Sequence, residues 1–372
     1  FFSTPTPPPA ILSGLVGSEM CIRDSCRKPR LPSQIKPMTS RPIKEKVAVH
    51  IKNNRAGELV FRTTADRLAR ARQRHPEVSS RIDVCLDWDL DNFDRSMERA
   101  EVMMTWDLPT DGLQQRAPRL KWIHVIGAGV EHLAPFDWLP PGMTVTRNSG
   151  IHLEKTREYV GMGLQMLNNH VPKFASDQRR RDWKPVYSTP IKGKTVTVVG
   201  VGKMGEASAQ VAKSMGLRVR GVRRTGRSSR YVHAMYTPED LDAALDDADF
   251  VILNMPLTPE TENLIGEKQF AALRPGAGLI NLARGGVLDH VALVSALDRG
   301  ILGGAILDVT TPEPLPPDSK LWHTPNLIIT PHVSSDDDAN YTDLTLDLLF
   351  RNLGRYLEGR PLINRVRPKL GY

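Results

Sequence analysis

From Lys46 onward, short apolar runs alternate with longer amphipathic stretches. KVAVHI, RIDVCL, AEVMMTW, LKWIHVIG and MTVTRN have the length and composition of strands, and residues 64–75 and 92–99 between them read as helices. A second series opens at Thr195 with TVTVVG, LRVRGV, DFVILNMP, AGLINLA, GAILDV and LIITPHV, and helices are expected to begin near Met204, Pro238, Glu267 and His290. Apolar runs separated by helices predict parallel sheets covered on both faces. Between the series a longer helix is expected over 154–170, carrying Tyr159, Val160, Met162, Leu164 and Leu167. The last helix is expected over about 338–358, with Leu344, Leu348, Leu349, Leu353 and Leu357 on one face. Thr237, Pro238 and Asp240 form a helix-start signal of capping hydroxyl, first-turn proline and acid.

A chain of 372 residues exceeds one ordinary domain, so two globular units are expected. With 40% apolar and 25% charged residues it has the composition of a soluble protein with real cores. No run approaches the roughly 18 apolar residues of a membrane span. The formal charge is +8, yet the basic residues are scattered, without a block of five or six and without interleaved aromatics. That argues against nucleic acid as a partner and suits small anionic ligands. Cys21, Cys26 and Cys85 are odd in number and lack metal-site spacing, so neither a disulfide scaffold nor a metal site is expected.

Residues 1–37 hold seven prolines and no sustained period. Their basic residues start at Arg23, after the apolar AILSGLVG, which is the wrong order for a signal peptide; from Arg23 onward a transit peptide is conceivable. LVGSEMCIRDS resembles a translated sequencing-adaptor remnant, so this segment is expected to be extraneous, with Met38 as the true start. Without its five basic and two acidic side chains the charge falls from +8 to +5. The remaining Cys85 fits a reducing cytoplasm.

Gly200-Val201-Gly202-Lys203-Met204-Gly205 lies between a strand and a helix. The first glycine permits a tight turn, the second lets backbone approach a pyrophosphate, and the third lets helix and strand pack closely. A dinucleotide site is expected here. The next strand ends in Arg223-Arg224-Thr225 where an NAD site wants an acid. A 2′-phosphate about 4 Å from a guanidinium gains about 1 kcal/mol in water and up to about 4 at an effective dielectric near 20. NADP(H) is therefore expected over NAD(H), the alternative being a solvated basic strand end with NAD still open. Pro256, Leu282, Ala283, Asp308 and Ser334, at later strand ends, complete the expected cofactor contacts.

Arg284 in Ala283-Arg284-Gly285, Glu313 after Asp308, and His332 in Pro331-His332 also sit at successive strand ends, which face the ligand crevice of a parallel sheet. Each alone is as well read as a structural residue; together they suit reduction of a 2-keto acid. Arg284 can hold a carboxylate and a carbonyl oxygen in its planar fork, and His332 can protonate the oxygen. Glu313 beside it favours imidazolium. Asp308 is expected to accept from the nicotinamide carboxamide.

In this order and spacing, these motifs resemble the D-isomer-specific 2-hydroxyacid dehydrogenases, from about Lys46 to Tyr372. The glyoxylate/hydroxypyruvate reductase branch is similar in Val125-Ile126-Gly127-Ala128-Gly129-Val130, Trp183-Lys184-Pro185, residues 281–285 and 308–315, and the closing Gly371-Tyr372. The resemblance implies an α/β fold of two Rossmann-like or flavodoxin-like parallel-sheet domains with a cleft between them. Residues 38–148 with 334–372 would form the substrate domain, and 149–333 the NAD(P)-binding domain. It further implies that Ala128 and Gly129 amides bind the substrate carboxylate beside Arg284, that Trp106 walls the pocket, and that the protein is a homodimer. One departure is Val333-Ser334-Ser335-Asp336-Asp337-Asp338 after His332, whose acids weigh against dianionic substrates.

The leading expectation is an NADPH-dependent reductase of glyoxylate, hydroxypyruvate or a similar short acid. 3-Phosphoglycerate dehydrogenase stands behind it, since no long regulatory extension follows Tyr372. A different class, a dinucleotide-sensing protein like the C-terminal-binding-protein corepressors, shares the motifs and differs in lacking turnover.

Overall fold

The computed structural model describes residues 45–151 and 153–371; the segment 1–37 and the expected start at Met38 lie outside the described residues. Strands β1 (Val47–Asn53), β2 (Ile82–Trp88), β3 (Val102–Thr105), β4 (Trp122–Val125) and β5 (Thr144–Arg147) form one sheet in the order β2-β1-β3-β4-β5. Strands β6 (Thr195–Val199), β7 (Arg218–Val222), β8 (Ala234–Tyr236), β9 (Phe250–Leu253), β10 (Ala277–Asn281), β11 (Leu302–Leu307) and β12 (Leu327–Ile329) form the other, in the order β12-β11-β10-β9-β6-β7-β8. All pairings within these strands are parallel. The strand order changes direction between β1 and β3 in the first sheet and between β6 and β9 in the second, the places where open α/β sheets bind ligands.

Each sheet has a core on both faces, which is why its strands are apolar at successive positions. Val102 and Met104 pack on one side of β3 and Met103 on the other. Phe250 and Ile252 of β9 likewise separate from Val251 and Leu253. The Tyr341–Leu357 helix returns to the first sheet, where Leu346, Leu349, Phe350 and Leu353 join Val47, Val49 and Ile51. This stripe replaces part of the expected one, because Leu344 is exposed. The helix also starts later than expected, since the Asp337 carboxylate accepts from the amides of Ala339 and Asn340, both at 3.0 Å, and makes a turn instead.

The Leu153–Asn168 helix buries Tyr159, Val160, Leu164 and Leu167 but leaves Met162 exposed. At Pro238–Asp240 the expected helix begins as a 3-10 turn, and the Thr237 hydroxyl bonds the Asp240 carboxylate at 3.2 Å rather than a backbone amide. The Val171–Arg180 helix and β8 were not expected. The helix buries only Pro172, Ser176 and Asp177, so it has no apolar stripe, and β8 is a three-residue edge strand.

A buried histidine gives the first sheet a pH dependence. His124 on β4 lies between Thr146 Oγ1 (2.8 Å) and Asn148 Oδ1 (3.1 Å), and burial lowers its pKa from 6.5 to about 4. The unfolded chain protonates this ring below about 6.5 while the folded chain does not. Stability that is intact above pH 6.5 should therefore fall as pH drops toward 4, by up to roughly 3 kcal/mol. Denaturant melts of wild type and His124→Gln at pH 7 and 5 test this. The stability difference between them should shrink at pH 5; taking the difference cancels Asp336, whose carboxyl burial raises to about 6 and whose effect runs oppositely.

Candidate active site

β6 runs into the glycine-rich turn and then the Lys203–Ser214 helix. Gly200 has φ +95°, and a Cβ there would meet the Met255 amide nitrogen at 2.5 Å. A Cβ on Gly205 would strike the Gly200 carbonyl, so helix and turn pack at backbone contact. A Cβ on Gly202 meets nothing within 4 Å. The loop is thus closed behind and open in front of a helix N-terminus, a fit for the pyrophosphate of a dinucleotide. Met204 lies in the first turn of this helix, while Pro256 follows β9, next to Met255.

Two of the expected cofactor residues, Lys203 and Arg223, have side chains with partners inside the protein. Lys203 sends its ammonium across to the first sheet's segment, onto Asn364 Oδ1 (2.6 Å) and the Ser149 carbonyl (3.2 Å), so its side chain is not at the phosphate loop. Arg223 braces the loop: Nε donates to the Val201 carbonyl, Nη1 to the Arg227 carbonyl and Nη2 to Glu206 at 3.3 Å. Arg224 and Thr225 beyond it are exposed.

The turn after β10 is shaped by Asn281, whose Oδ1 accepts from the Ala283 amide and whose Nδ2 donates to the Arg284 carbonyl, each at 3.0 Å. Gly285 lies against Thr310, where a Cβ would overlap the Thr310 carbonyl group. Arg284 Nη1 donates to the Ala283 carbonyl at 2.6 Å, and Nη2 to Glu131 at 3.3 Å. Its guanidinium occupies the space a Gly129 side chain would need, while the Trp106 ring occupies that of Gly127. Trp106 is stacked on His132 with ring centres 4.0 Å apart. The expected substrate group of Trp106, Ala128, Gly129 and Arg284 is therefore brought to one place. The Leu282 and Ala283 side chains are buried.

His332 Nδ1 donates to Glu313 at 2.8 Å, leaving Nε2 for a ligand. The residue has φ +56°, a costly conformation for a side chain of this size. Asp308 holds it there. The Asp308 carbonyl accepts from the His332 amide (2.9 Å), Oδ1 from Val333 N (2.9 Å) and Thr330 Oγ1 (2.6 Å), and Oδ2 from Ser334 N (3.0 Å). Asp308 and Ser334 are buried, so the carboxylate expected to face the nicotinamide already fixes the turn that carries His332.

Sequence reasoning did not single out Glu131, His132 or Asn148, and it read Tyr159 only as a position of its helix. Tyr159 lies on Thr330, and burial raises its hydroxyl to about 12, keeping it a neutral donor. Asp336 is half-buried, with its carboxyl proton further favoured by Asp308 and opposed by His332. A cavity of about 410 Å³ opens at the ends of β1, β2 and β3, lined in part by Lys52, Asn54, Asp89 and Asp107. The Lys52 side chain there is 6% exposed, and its ammonium is 2.6 Å from Asp107. Among the described residues there is no group of three metal-ligating side chains and no helix long and apolar enough to cross a membrane.

A family model described as D-isomer specific 2-hydroxyacid dehydrogenase, NAD binding domain, matches residues 161–334. Glyoxylate/hydroxypyruvate reductase A of Photorhabdus laumondii is 31% identical over 285 residues, 74% of this chain and 88% of that protein. The chain belongs to the D-isomer specific 2-hydroxyacid dehydrogenases. A member from Xanthobacter autotrophicus, solved in complex with NADPH and MES, superposes with a TM-score of 0.76 at 30% identity, covering 88% of this chain and all of that one. A D-3-phosphoglycerate dehydrogenase of Synechocystis is 32% identical over 241 residues, 64% of this chain but 43% of that longer protein. The chain is thus an NAD(P)-linked oxidoreductase of this family, with the two parallel-sheet α/β domains of its solved members.

Because any side chain at 129 displaces Arg284, Gly129→Ala should lower kcat/KM toward a 2-keto acid by at least about tenfold, a loss of about 1.4 kcal/mol in transition-state binding. Steady-state kinetics check this, with a thermal melt showing that the variant is folded.

Proposed function

We propose that the protein reduces a short 2-keto acid, glyoxylate, hydroxypyruvate or a close analogue, to the D-2-hydroxy acid with NADPH as the preferred cofactor. The reading is carried by the His332–Glu313 pair at 2.8 Å on the same strand-end edge as Arg284 and the glycine turn. When bound, the dinucleotide supplies the hydride. Gly200, Gly202, Gly205 and the helix amides behind them would hold its pyrophosphate, with Met204, Pro256, Leu282, Ala283 and Ser334 around its path. Arg284 and the Ala128 and Gly129 amides hold the substrate carboxylate, and Trp106 closes the side. His332 gives its Nε2 proton to the ketone oxygen, and Glu313 fixes the ring and balances its charge. Asp308 keeps His332 in place and contributes its remaining acceptor capacity toward the carboxamide.

NADPH is preferred because Arg224 and Thr225 stand exposed at the strand tip while Arg223 keeps the loop in shape. The relative of known structure from Xanthobacter autotrophicus was crystallised with NADPH, which supports the same choice. Asp336 beside His332 disfavours a second anionic group on the substrate, which sets phosphorylated acids behind. The chain works as two domains, 38–148 with 334–372 and 149–333. It acts in the cytoplasm as a homodimer, in which a second copy covers Trp183 (97% exposed) and Tyr187 (90% exposed).

Turnover of glyoxylate, hydroxypyruvate, pyruvate and 3-phosphohydroxypyruvate with NADPH and NADH tests the reading. Oxidation of NADPH by the first two is expected; none with any acid would instead support a dinucleotide sensor. His332→Ala should lower kcat by about 10²- to 10⁴-fold with KM little changed, whereas Arg284→Ala should affect both. Arg224→Ala should reduce kcat/KM with NADPH by about tenfold and leave NADH nearly untouched, whereas Arg223→Ala should impair both cofactors.

A further inference from the structure

A chain of buried hydrogen bonds runs through the first sheet and ends on the loop 126–129. Trp122 Nε1 donates to Thr146 Oγ1 (2.7 Å), and that hydroxyl donates to His124 Nδ1 (2.8 Å). His124 Nε2 then donates to Asn148 Oδ1 (3.1 Å). Asn148 Nδ2 donates to the Ile126 carbonyl and to Thr345 Oγ1 (2.7 Å), and Thr345 donates to the Tyr341 carbonyl (2.9 Å). In this direction every donor meets an acceptor with His124 neutral, as its burial requires. The side chains of Trp122, His124, Thr146, Asn148 and Thr345 are all within 1% of complete burial.

Three consecutive carbonyls of the loop are tied down, the first two by this framework and the third by Arg147. Ile126 O accepts from Asn148 Nδ2 and from the Tyr341 hydroxyl (2.7 Å). Gly127 O accepts from the Asn148 amide (2.8 Å), and Ala128 O from Arg147 Nη1 (2.8 Å). In a planar trans peptide the carbonyl and the following N–H point in opposite directions. Tying down the carbonyls of 126 and 127 therefore aims the amides of Gly127 and Ala128 away from the framework, and the Arg147 contact to the carbonyl of 128 fixes the Gly129 amide. These are the amides beside Arg284 and Trp106.

We propose that Asn148 and Tyr341 are positioning residues that preset the loop amides for the substrate carboxylate, Asn148 from the end of β5 and Tyr341 from the start of the final helix. This rests on the reading of those amides as the carboxylate site. Neither side chain touches substrate; each acts through the Ile126 carbonyl. A loop held in advance loses little freedom on binding, so its effect falls on substrate affinity.

Tyr341→Phe removes one hydroxyl and keeps the ring, and is the informative variant because Asn148→Ala opens a buried network and risks misfolding. For Tyr341→Phe, KM for glyoxylate should rise about tenfold with kcat within about twofold, the size expected for loss of hydroxyl hydrogen bonding to a group that must stay fixed. NADPH affinity, read by fluorescence titration of the same variant, should be unchanged. A parallel fall of kcat, glyoxylate affinity and NADPH affinity would mean general loosening and would overturn the proposal. So would an unchanged KM in Tyr341→Phe while Gly129→Ala is impaired, which leaves the carboxylate site itself standing. An unchanged KM in Gly129→Ala as well would overturn both.

Discussion

The Arg284 guanidinium lies in the space that a side chain at position 129 would fill, and through that contact two separately cored sheets share one site. Arg284 is the last residue before the Gly285 turn, which reaches Thr310 at backbone distance, so the guanidinium is fixed from its own sheet. Asn281 completes that fixation by holding the turn on both sides. On the opposite wall nothing but backbone fits, because Gly127 and Gly129 are covered by Trp106 and Arg284. A planar cation against a strip of amides is a surface matched to a carboxylate, and the match requires absence of bulk as much as presence of charge.

The other half of the site is held by a buried carboxylate. A histidine at φ +56° persists only where its surroundings outweigh the strain, and Asp308 supplies backbone and side-chain bonds to residues 330, 332, 333 and 334. Glu313 then fixes the imidazole ring from the side. Asp308 and Glu313 are thus two acids with different work. The buried one shapes the backbone, and the partly exposed one bonds the imidazole ring. Tyr159 extends the support by bonding Thr330 from the helix that links the two sheets.

Much of this was legible in the sequence, because strand ends in a parallel sheet are forced to one edge. Once β10, β11 and β12 are recognised, Arg284, Asp308 and His332 must share that edge whatever the loops do. The strands themselves announce their burial on both faces. What stayed hidden lacked a periodic signal. Met162 and Leu344 look like core by type, yet the burial of neighbours such as Val160, Leu164, Leu346 and Phe350 sets the helix phase and turns them outward. The Val171–Arg180 helix is polar at nearly every position. The chain from Trp122 to Ile126 joins residues on β4, β5 and the final helix, and no spacing along the sequence brings Asn148 to Thr345.

The strand tip shows why charge counted along a sequence differs from charge available to a ligand. Arg223 occupies the position where an NAD-binding acid is expected, and its charge alone argues for a phosphate partner. Its guanidinium nevertheless has three intramolecular acceptors, on Val201, Glu206 and Arg227, and Glu206 offsets its field. A 2′-phosphate approaching Arg223 would have to displace the brace that shapes the glycine turn, so a gain in one part of the site would be offset by a loss in the other. Removing an acid from the strand tip lifts a repulsion, but attraction needs a cation within reach of the phosphate. Arg224, on the same turn, has its side chain exposed to solvent.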